Sequence, residues 1–194
     1  MQFKIFEEGT AMLTFRNANR FITLNSKEFN HYLEEDGITE AIEFRNTHNE
    51  TDSSGREYYQ RSVKTLLQIG NKLTPRIQLP ADLPLDIIPL AHPYRYTQAG
   101  SFPVQVLFEG KPLRKKILRI WQRLAGEVTV KSLLTDTAGK ASFQLKPEGE
   151  WMISCVAMKR IENDPKADWQ SYWGSLTWGY TRNKKQPAIL RGRP

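Results

Sequence analysis

The chain has 194 residues, enough for one large domain or two small ones with a real hydrophobic core. Hydrophobic residues make up 39% and aromatic residues 11% of the sequence, which argues against disorder, and no apolar run approaches the roughly 20 residues that span a bilayer. The single cysteine, Cys155, excludes an internal disulfide and a zinc site built from cysteines.

The N-terminal residues 1–24 show the alternation of apolar and polar side chains that predicts β-strands. Asn25 and Glu28 then have the spacing of a capping box, which predicts a short helix that ends at Gly37. Thr39 is placed to begin a second helix through residues 41–44.

The next stretch, residues 54–70, carries the signals of a third helix. Ser54 and Glu57 repeat the capping-box spacing, and Gly70 follows as an expected end. Between them, apolar residues recur at helical spacing at Tyr59, Val63, Leu66 and Leu67. These signals predict a helical insertion over about residues 25–70.

After a proline-rich segment at residues 73–84, the pattern is β throughout. We predict strands at residues 85–90, 102–108, 117–122, 141–145, 150–158 and 171–180, which together indicate a sandwich. In the strand at 117–122, either Leu118 and Ile120 or the set of Ile117, Arg119 and Trp121 faces the core. Asp136 and Gly139 predict a turn in which the Asp side chain accepts from the backbone and Gly takes a positive φ.

The formal net charge of +7 lies largely in residues 111–123 and in a tail at residues 181–194 that contains no acid. A basic tail can bind nucleic acid or anionic lipid. No recognised nucleic-acid-binding motif accompanies the charge, so we predict a solvated tail and no nucleic-acid partner.

Two kinds of residue are candidates for a binding site. His31 and His92 are the candidate metal ligands, with Glu34 and Glu35 close to His31, although no two histidines have the spacing of a short metal motif. Trp169 and Trp173 share one face of an extended strand and form a candidate platform for a glycan or a partner. The alternative for the tryptophans is a second buried face beneath the helical insertion.

Nothing in the sequence supports catalysis. No serine lies in a nucleophile-elbow motif, and Cys155 sits in an apolar strand without a histidine near it in sequence. We therefore predict a protein that is not an enzyme and that has no resident cofactor.

A series of motifs, in order along the chain, resembles a known family. Residues 29–37 resemble the segment FN-x-YL-x-x-x-G, and the series continues at residues 86–89, 110–113, 135–139 and 168–177. The segment RE-x-Y-x-R-x-x-K is matched by five residues, which are Arg56, Glu57, Tyr59, Arg61 and Lys64. Asp136, Gly139 and Asp168 belong to the later motifs. The whole series resembles the bacterial cell-envelope family DUF4198, a domain of unknown function that is sometimes labelled NikM-like for nickel uptake.

The resemblance implies a fold and a function. It implies an immunoglobulin-like or transthyretin-like β-sandwich at residues 83–180, preceded at residues 1–82 by a partial N-terminal sandwich that holds the helical insertion, and followed by the basic tail at 181–194. It also implies a periplasmic or cell-envelope binding or accessory module. The alternatives are a nickel- or cobalt-binding accessory of metal uptake, and a carbohydrate-binding module that uses the aromatic platform.

The resemblance also bears on partners. Members of the family usually begin with a secretion signal and several further strands before the part that this chain resembles. We therefore expect the N-terminal strands to be completed by another envelope protein or by self-association, or else to be poorly ordered.

Overall fold

A computed structural model describes residues 7–180 of the chain, and its strands form two sheets. The larger sheet has seven strands, which are β1 (Gly9–Arg16), β2 (Arg20–Leu24), β3 (Gly55–Ile69), β7 (Ile117–Leu124), β8 (Glu127–Leu134), β10 (Glu150–Arg160) and β11 (Trp169–Gly179). Their order in the sheet is β1-β3-β11-β10-β7-β8, with β2 also paired to β3. Neighbours pair antiparallel except β3 and β11, which are parallel.

The smaller sheet has four strands, with β5 paired to each of the other three. They are β4 (Leu85–Pro89), β5 (Gly100–Phe108), β6 (Lys111–Pro112) and β9 (Lys140–Leu145). Short 3₁₀ turns at Pro75–Gln78 and Pro93–Arg95 flank β4. Asp136 and Gly139 make the predicted turn before β9: the Asp136 carboxylate accepts from the Ala138 and Lys140 backbone N–H groups at 2.8 Å, and Gly139 has φ +70°.

Two helices, α1 (Ser26–Glu35) and α2 (Thr39–Thr47), connect β2 to β3. The predicted capping box is present at the start of α1, where the Asn25 side chain accepts from the Glu28 N–H at 2.9 Å. Phe29 and Leu33 of α1 and Ala41 of α2 pack on the seven-stranded sheet. The prediction of a mainly β sandwich with a small helical insertion is therefore confirmed.

The predicted third helix is wrong, because residues 55–69 form the 15-residue strand β3. The helical spacing of Tyr59, Val63, Leu66 and Leu67 does not place them on one stripe: Leu66 is buried and Leu67 is exposed on the opposite face. β3 hydrogen-bonds to β1 and β2 on one side and to β11 on the other. A strand satisfied on both edges has its backbone groups paired as fully as in a helix.

The main core lies between the two sheets. Leu118 and Ile120 of β7 face this core, which settles the alternative left open by the sequence, and Arg119 and Trp121 point to the other side of the sheet. Cys155 is buried in the core, and this burial raises the pKa of its thiol to about 12. We call the face of the seven-stranded sheet that points away from the small sheet the outer face; α1 and α2 cover one part of it.

Strands from both sides of the predicted boundary at residue 82 belong to the same sheet. β1 and β2 pair with β3, which pairs in turn with β11 near the other end of the chain. The strands at residues 9–24 are thus satisfied along one edge within the chain, and association through their other edge stays a prediction. The basic tail at 181–194 lies outside the described residues.

Candidate functional site

The two tryptophans of the predicted platform lie in different environments, although both point to the outer face. Trp169 is only 3% exposed, because α1 and α2 cover it: its ring lies 6.3 Å from that of Phe29 and 5.6 Å from that of Phe44. It therefore belongs to the core beneath the helices, as the alternative of a second buried face described, and it is not available to a ligand. Trp173, four residues further along β11, is half-buried at the border of the helices, where Tyr32 of α1 packs against it.

Trp173 lines a groove of about 260 Å³ on the uncovered part of the outer face. We call it the outer-face groove. Its floor comes from β3, β11, β10 and β7, and one wall comes from the C-terminal end of α1. Its aromatic and polar lining includes Asp36, Arg61, Arg119, Trp121, Ser154 and Trp173.

Trp121 is a groove residue that the sequence reasoning did not select. It lies on β7 opposite Met152 of β10, and its indole N–H donates to the Ser154 hydroxyl at 3.0 Å. The signal was present in the open alternative for residues 117–122, because a strand whose Leu118 and Ile120 face the core must place Trp121 on the outer face. The groove lining therefore contains two tryptophans, Trp121 on β7 and Trp173 on β11.

The orientation of Trp173 is fixed from the helix side. The Tyr32 ring of α1 stacks on the indole, with centroids 5.5 Å apart and an interplanar angle of 11°. The indole N–H donates to the Ser171 hydroxyl at 3.0 Å. A side chain held by two contacts loses little further rotamer freedom when a ligand binds, which favours binding.

The hydrogen bond from the Trp173 indole to Ser171 continues to a buried carboxyl group, that of Glu57. The Ser171 hydroxyl donates to Glu57, which is 3% exposed. Burial is the main cause that raises the pKa of Glu57 to about 7, and the charge of Asp36 adds to it. Burial likewise raises the pKa of Tyr32. Among residues 7–180, neither the Tyr32 hydroxyl nor the Glu57 Oε2 atom has a hydrogen-bond partner.

Two arginines bring positive charge to the groove. Arg119 is paired with Asp36, with a shortest N–O distance of 3.4 Å. Burial raises the pKa of Asp36, and the guanidinium of Arg119 opposes that rise. Arg61 is exposed on β3, and within residues 7–180 its guanidinium has no acidic partner. The groove can therefore offer stacking surfaces, hydroxyl groups and one cation that is not already neutralised.

The structure does not bring the predicted metal ligands together. His31 is exposed on α1, with its Nε2 atom 3.6 Å from Glu35. His92 follows β4 of the small sheet, is 4% exposed and bonds to the Thr10 hydroxyl at 3.0 Å. Burial, and next the charge of Arg95, lower the pKa of His92. The two histidines thus lie on opposite sides of the large sheet, and no cluster of three metal-ligating side chains is found among residues 7–180.

The remaining motif residues make structural contacts. Arg56 at the start of β3 donates two hydrogen bonds to the Asp168 carboxylate, at 2.8 and 2.7 Å, and so ties β3 to the loop before β11. Lys64 forms an ion pair with Asp86 at 2.5 Å, with both side chains buried. Tyr59 is half-buried opposite Arg20 of β2. Arg56, Asp168, Lys64 and Tyr59 therefore hold elements of the fold together and do not line the groove.

The fold and groove define a two-sheet β-sandwich with a helical pair and an open, aromatic outer face. The family model described as Domain of unknown function (DUF4198) matches residues 1–159, so the chain belongs to this family, as its motifs indicated. Comparison with curated proteins gave no match, and comparison with solved structures gave none either. Neither helix in the part of the chain that the structure describes is long and apolar enough to cross a membrane.

Proposed function

We propose that the protein is a non-enzymatic binding module of the cell envelope that holds a carbohydrate chain in the outer-face groove. The observation that carries the proposal is the pair of half-buried tryptophans, Trp121 and Trp173, on one open face. An indole ring presents a flat apolar surface with a polar edge, which suits the apolar face of a sugar ring.

The spacing of the two tryptophans supports an extended ligand. Trp121 and Trp173 lie two strands apart, and their register positions on β10 (Met152 and Val156) are four residues apart. With strands about 4.8 Å apart and a rise of about 3.3 Å per residue, their Cα atoms are separated by roughly 16 Å. This separation suits a short oligosaccharide better than a single sugar.

The polar lining supports the same class of ligand. Ser154 and Ser175 line the groove between the tryptophans, and Arg61 lies at its side. Binding sites that combine aromatic surfaces with a few polar groups use the polar groups to fix the orientation of the ligand. A carbohydrate, with hydroxyl groups at its edges and apolar ring faces, matches both features.

A glycan array followed by calorimetry tests the proposal. We expect the wild type to bind a defined set of oligosaccharides, and Trp173→Ala or Trp121→Ala to weaken binding by about tenfold or more, which corresponds to 1.4 kcal/mol. Phe21→Ala is the matched control, because Phe21 is also an exposed aromatic residue but lies on β2 against Tyr58, away from the groove. Binding that survives both tryptophan changes would refute the proposal.

The metal-binding alternative has weaker support. Because His31 and His92 lie on opposite sides of the large sheet, a single ion cannot take both as ligands. Calorimetry with Ni²⁺ separates the two alternatives: the carbohydrate proposal expects binding no tighter than that of a surface histidine. A stoichiometric site that His31→Ala or His92→Ala abolishes would favour the metal alternative.

A further inference from the structure

The charged side chains of the outer-face groove indicate which carbohydrates it can bind. Arg61 and Trp173 are register partners on the parallel strands β3 and β11, which lie about 4.8 Å apart as neighbouring strands do. Both side chains line the groove. A sugar ring stacked on Trp173 therefore lies within reach of the Arg61 guanidinium.

Arg61 is well placed to receive an anion. Its backbone N–H donates to the Asn17 side chain at 2.5 Å, which fixes this position of β3 against the β1–β2 turn. Its side chain is exposed and, within residues 7–180, has no acidic partner. The five donors of a guanidinium form a planar fork that fits a carboxylate through two parallel hydrogen bonds.

The charge balance of the groove favours a carboxylate over a phosphate monoester. The groove lining contains two arginines and Asp36, and Asp36 already pairs with Arg119. One positive charge, that of Arg61, remains for the ligand. A carboxylate carries one negative charge, whereas a phosphate monoester carries about 1.5 to 2 at neutral pH and would be left partly uncompensated.

We propose that the ligand is an acidic oligosaccharide, with a carboxylate-bearing sugar stacked on Trp173 and its carboxylate bound by Arg61. This inference rests on the proposed carbohydrate-binding function and adds the ligand's charge to it. The alkyl part of Arg61 also lies beside the stacked ring, so Arg61 contributes packing as well as charge.

The test compares glycans that differ only in charge. The probes are an array of uronic-acid oligosaccharides, such as tetragalacturonate, beside the same chains with their carboxylates methyl-esterified, and beside neutral oligosaccharides. We expect wild-type binding to concentrate on the free acids and to weaken as salt concentration rises. Arg61→Gln should reduce that binding about tenfold or more, and Arg61→Lys should restore part of it.

Arg76→Gln is the matched control, because Arg76 is an exposed arginine on the 3₁₀ turn at Pro75–Gln78, outside the groove. Equal binding of acids, esters and neutral chains, with Trp173 still required, would overturn the charge inference and leave the proposed function standing. Unchanged binding of the acids by Arg61→Gln would also overturn it. An array with no Trp173-dependent ligand at all would overturn both.

Discussion

Glu57 shows how a single residue links the helices to the groove. Its carboxyl group lies at the end of the hydrogen-bond chain that begins at the Trp173 indole and passes through Ser171. Burial raises its pKa from 4.5 to about 7, so the folded chain binds this proton more tightly than the unfolded chain does. Below pH 4.5, Glu57 is protonated in both the folded and the unfolded chain and does not change the free energy of unfolding. Between pH 4.5 and 7, Glu57 lowers the free energy of unfolding by an amount that grows with pH, and above pH 7 this amount is constant.

We therefore predict that Glu57→Gln stabilises the fold in a pH-dependent way. A pKa rise of this size corresponds to a cost on the order of 3 kcal/mol when the group is charged, because one pKa unit is 1.36 kcal/mol. The difference in unfolding free energy between the variant and the wild type should be small at pH 4 and should favour the variant by that order at pH 8, as measured by urea unfolding. Glu34→Gln, an exposed position on α1, is the control. A difference that is the same at both pH values would contradict the prediction.

The buried pair of Lys64 and Asp86 yields a second prediction at the residue scale. Both side chains are at most 3% exposed, and the other Asp86 oxygen accepts from the Ala81 N–H at 2.7 Å. Asp86→Asn keeps the bond to Ala81 but leaves the ammonium group unpaired, so we expect a loss of about 3–5 kcal/mol. The double variant Asp86→Asn/Lys64→Met also removes the unpaired ammonium group and should recover part of this loss. Thermal and urea unfolding of the three proteins measure it, and a single variant as stable as wild type would show that the pair is not buried.

At the scale of elements, the sequence pattern of residues 54–70 predicted a helix where the structure has strand β3, and the failure has a physical reason. Burial along β3 alternates from Arg61 to Leu67, but the buried positions Ser62 and Lys64 hold polar side chains, and so does the buried position Glu57. Their presence breaks the period of two, and the apolar residues that remain fall at helical spacing by coincidence. Strand β8 was not predicted, although Val128 and Val130 alternate with Thr129 and Lys131; it lies at a sheet edge, where almost every residue is exposed.

Variants of the neighbouring residues Leu66 and Leu67 test experimentally whether residues 55–69 form a strand or a helix. Leu66 faces the core and is 1% exposed, whereas Leu67 faces the outer side and is 39% exposed. Leu66→Ala should cost about 2–5 kcal/mol of unfolding free energy, because it leaves a cavity in the core. Leu67→Ala should cost well under half as much. Denaturant unfolding of both variants provides the test, and equal losses would argue that the two side chains share one buried stripe.

For the whole molecule, local patterns predicted most of the parts but not their assembly. The capping box of α1, the turn at Asp136 and Gly139, and the core-facing alternation near Val104 and Val106 are short-range signals, and each appears in the structure. The pairing of β3 with β11 joins residues more than a hundred positions apart, and no local pattern encodes it. The groove depends on this pairing, because it places Arg61 beside Trp173. The site could therefore be predicted only in part, from Trp173 alone.

The indole N–H signals of the tryptophans offer the most direct test of the central claim, that a carbohydrate binds in the outer-face groove. The chain has five tryptophans. Trp121 and Trp173 line the groove, whereas Trp151, Trp169 and Trp178 are buried. In a ¹H–¹⁵N NMR titration with the best oligosaccharide from the array, we predict that the Trp121 and Trp173 indole signals shift progressively and saturate while the other three stay in place. Saturable binding that leaves both groove signals unmoved would contradict the account.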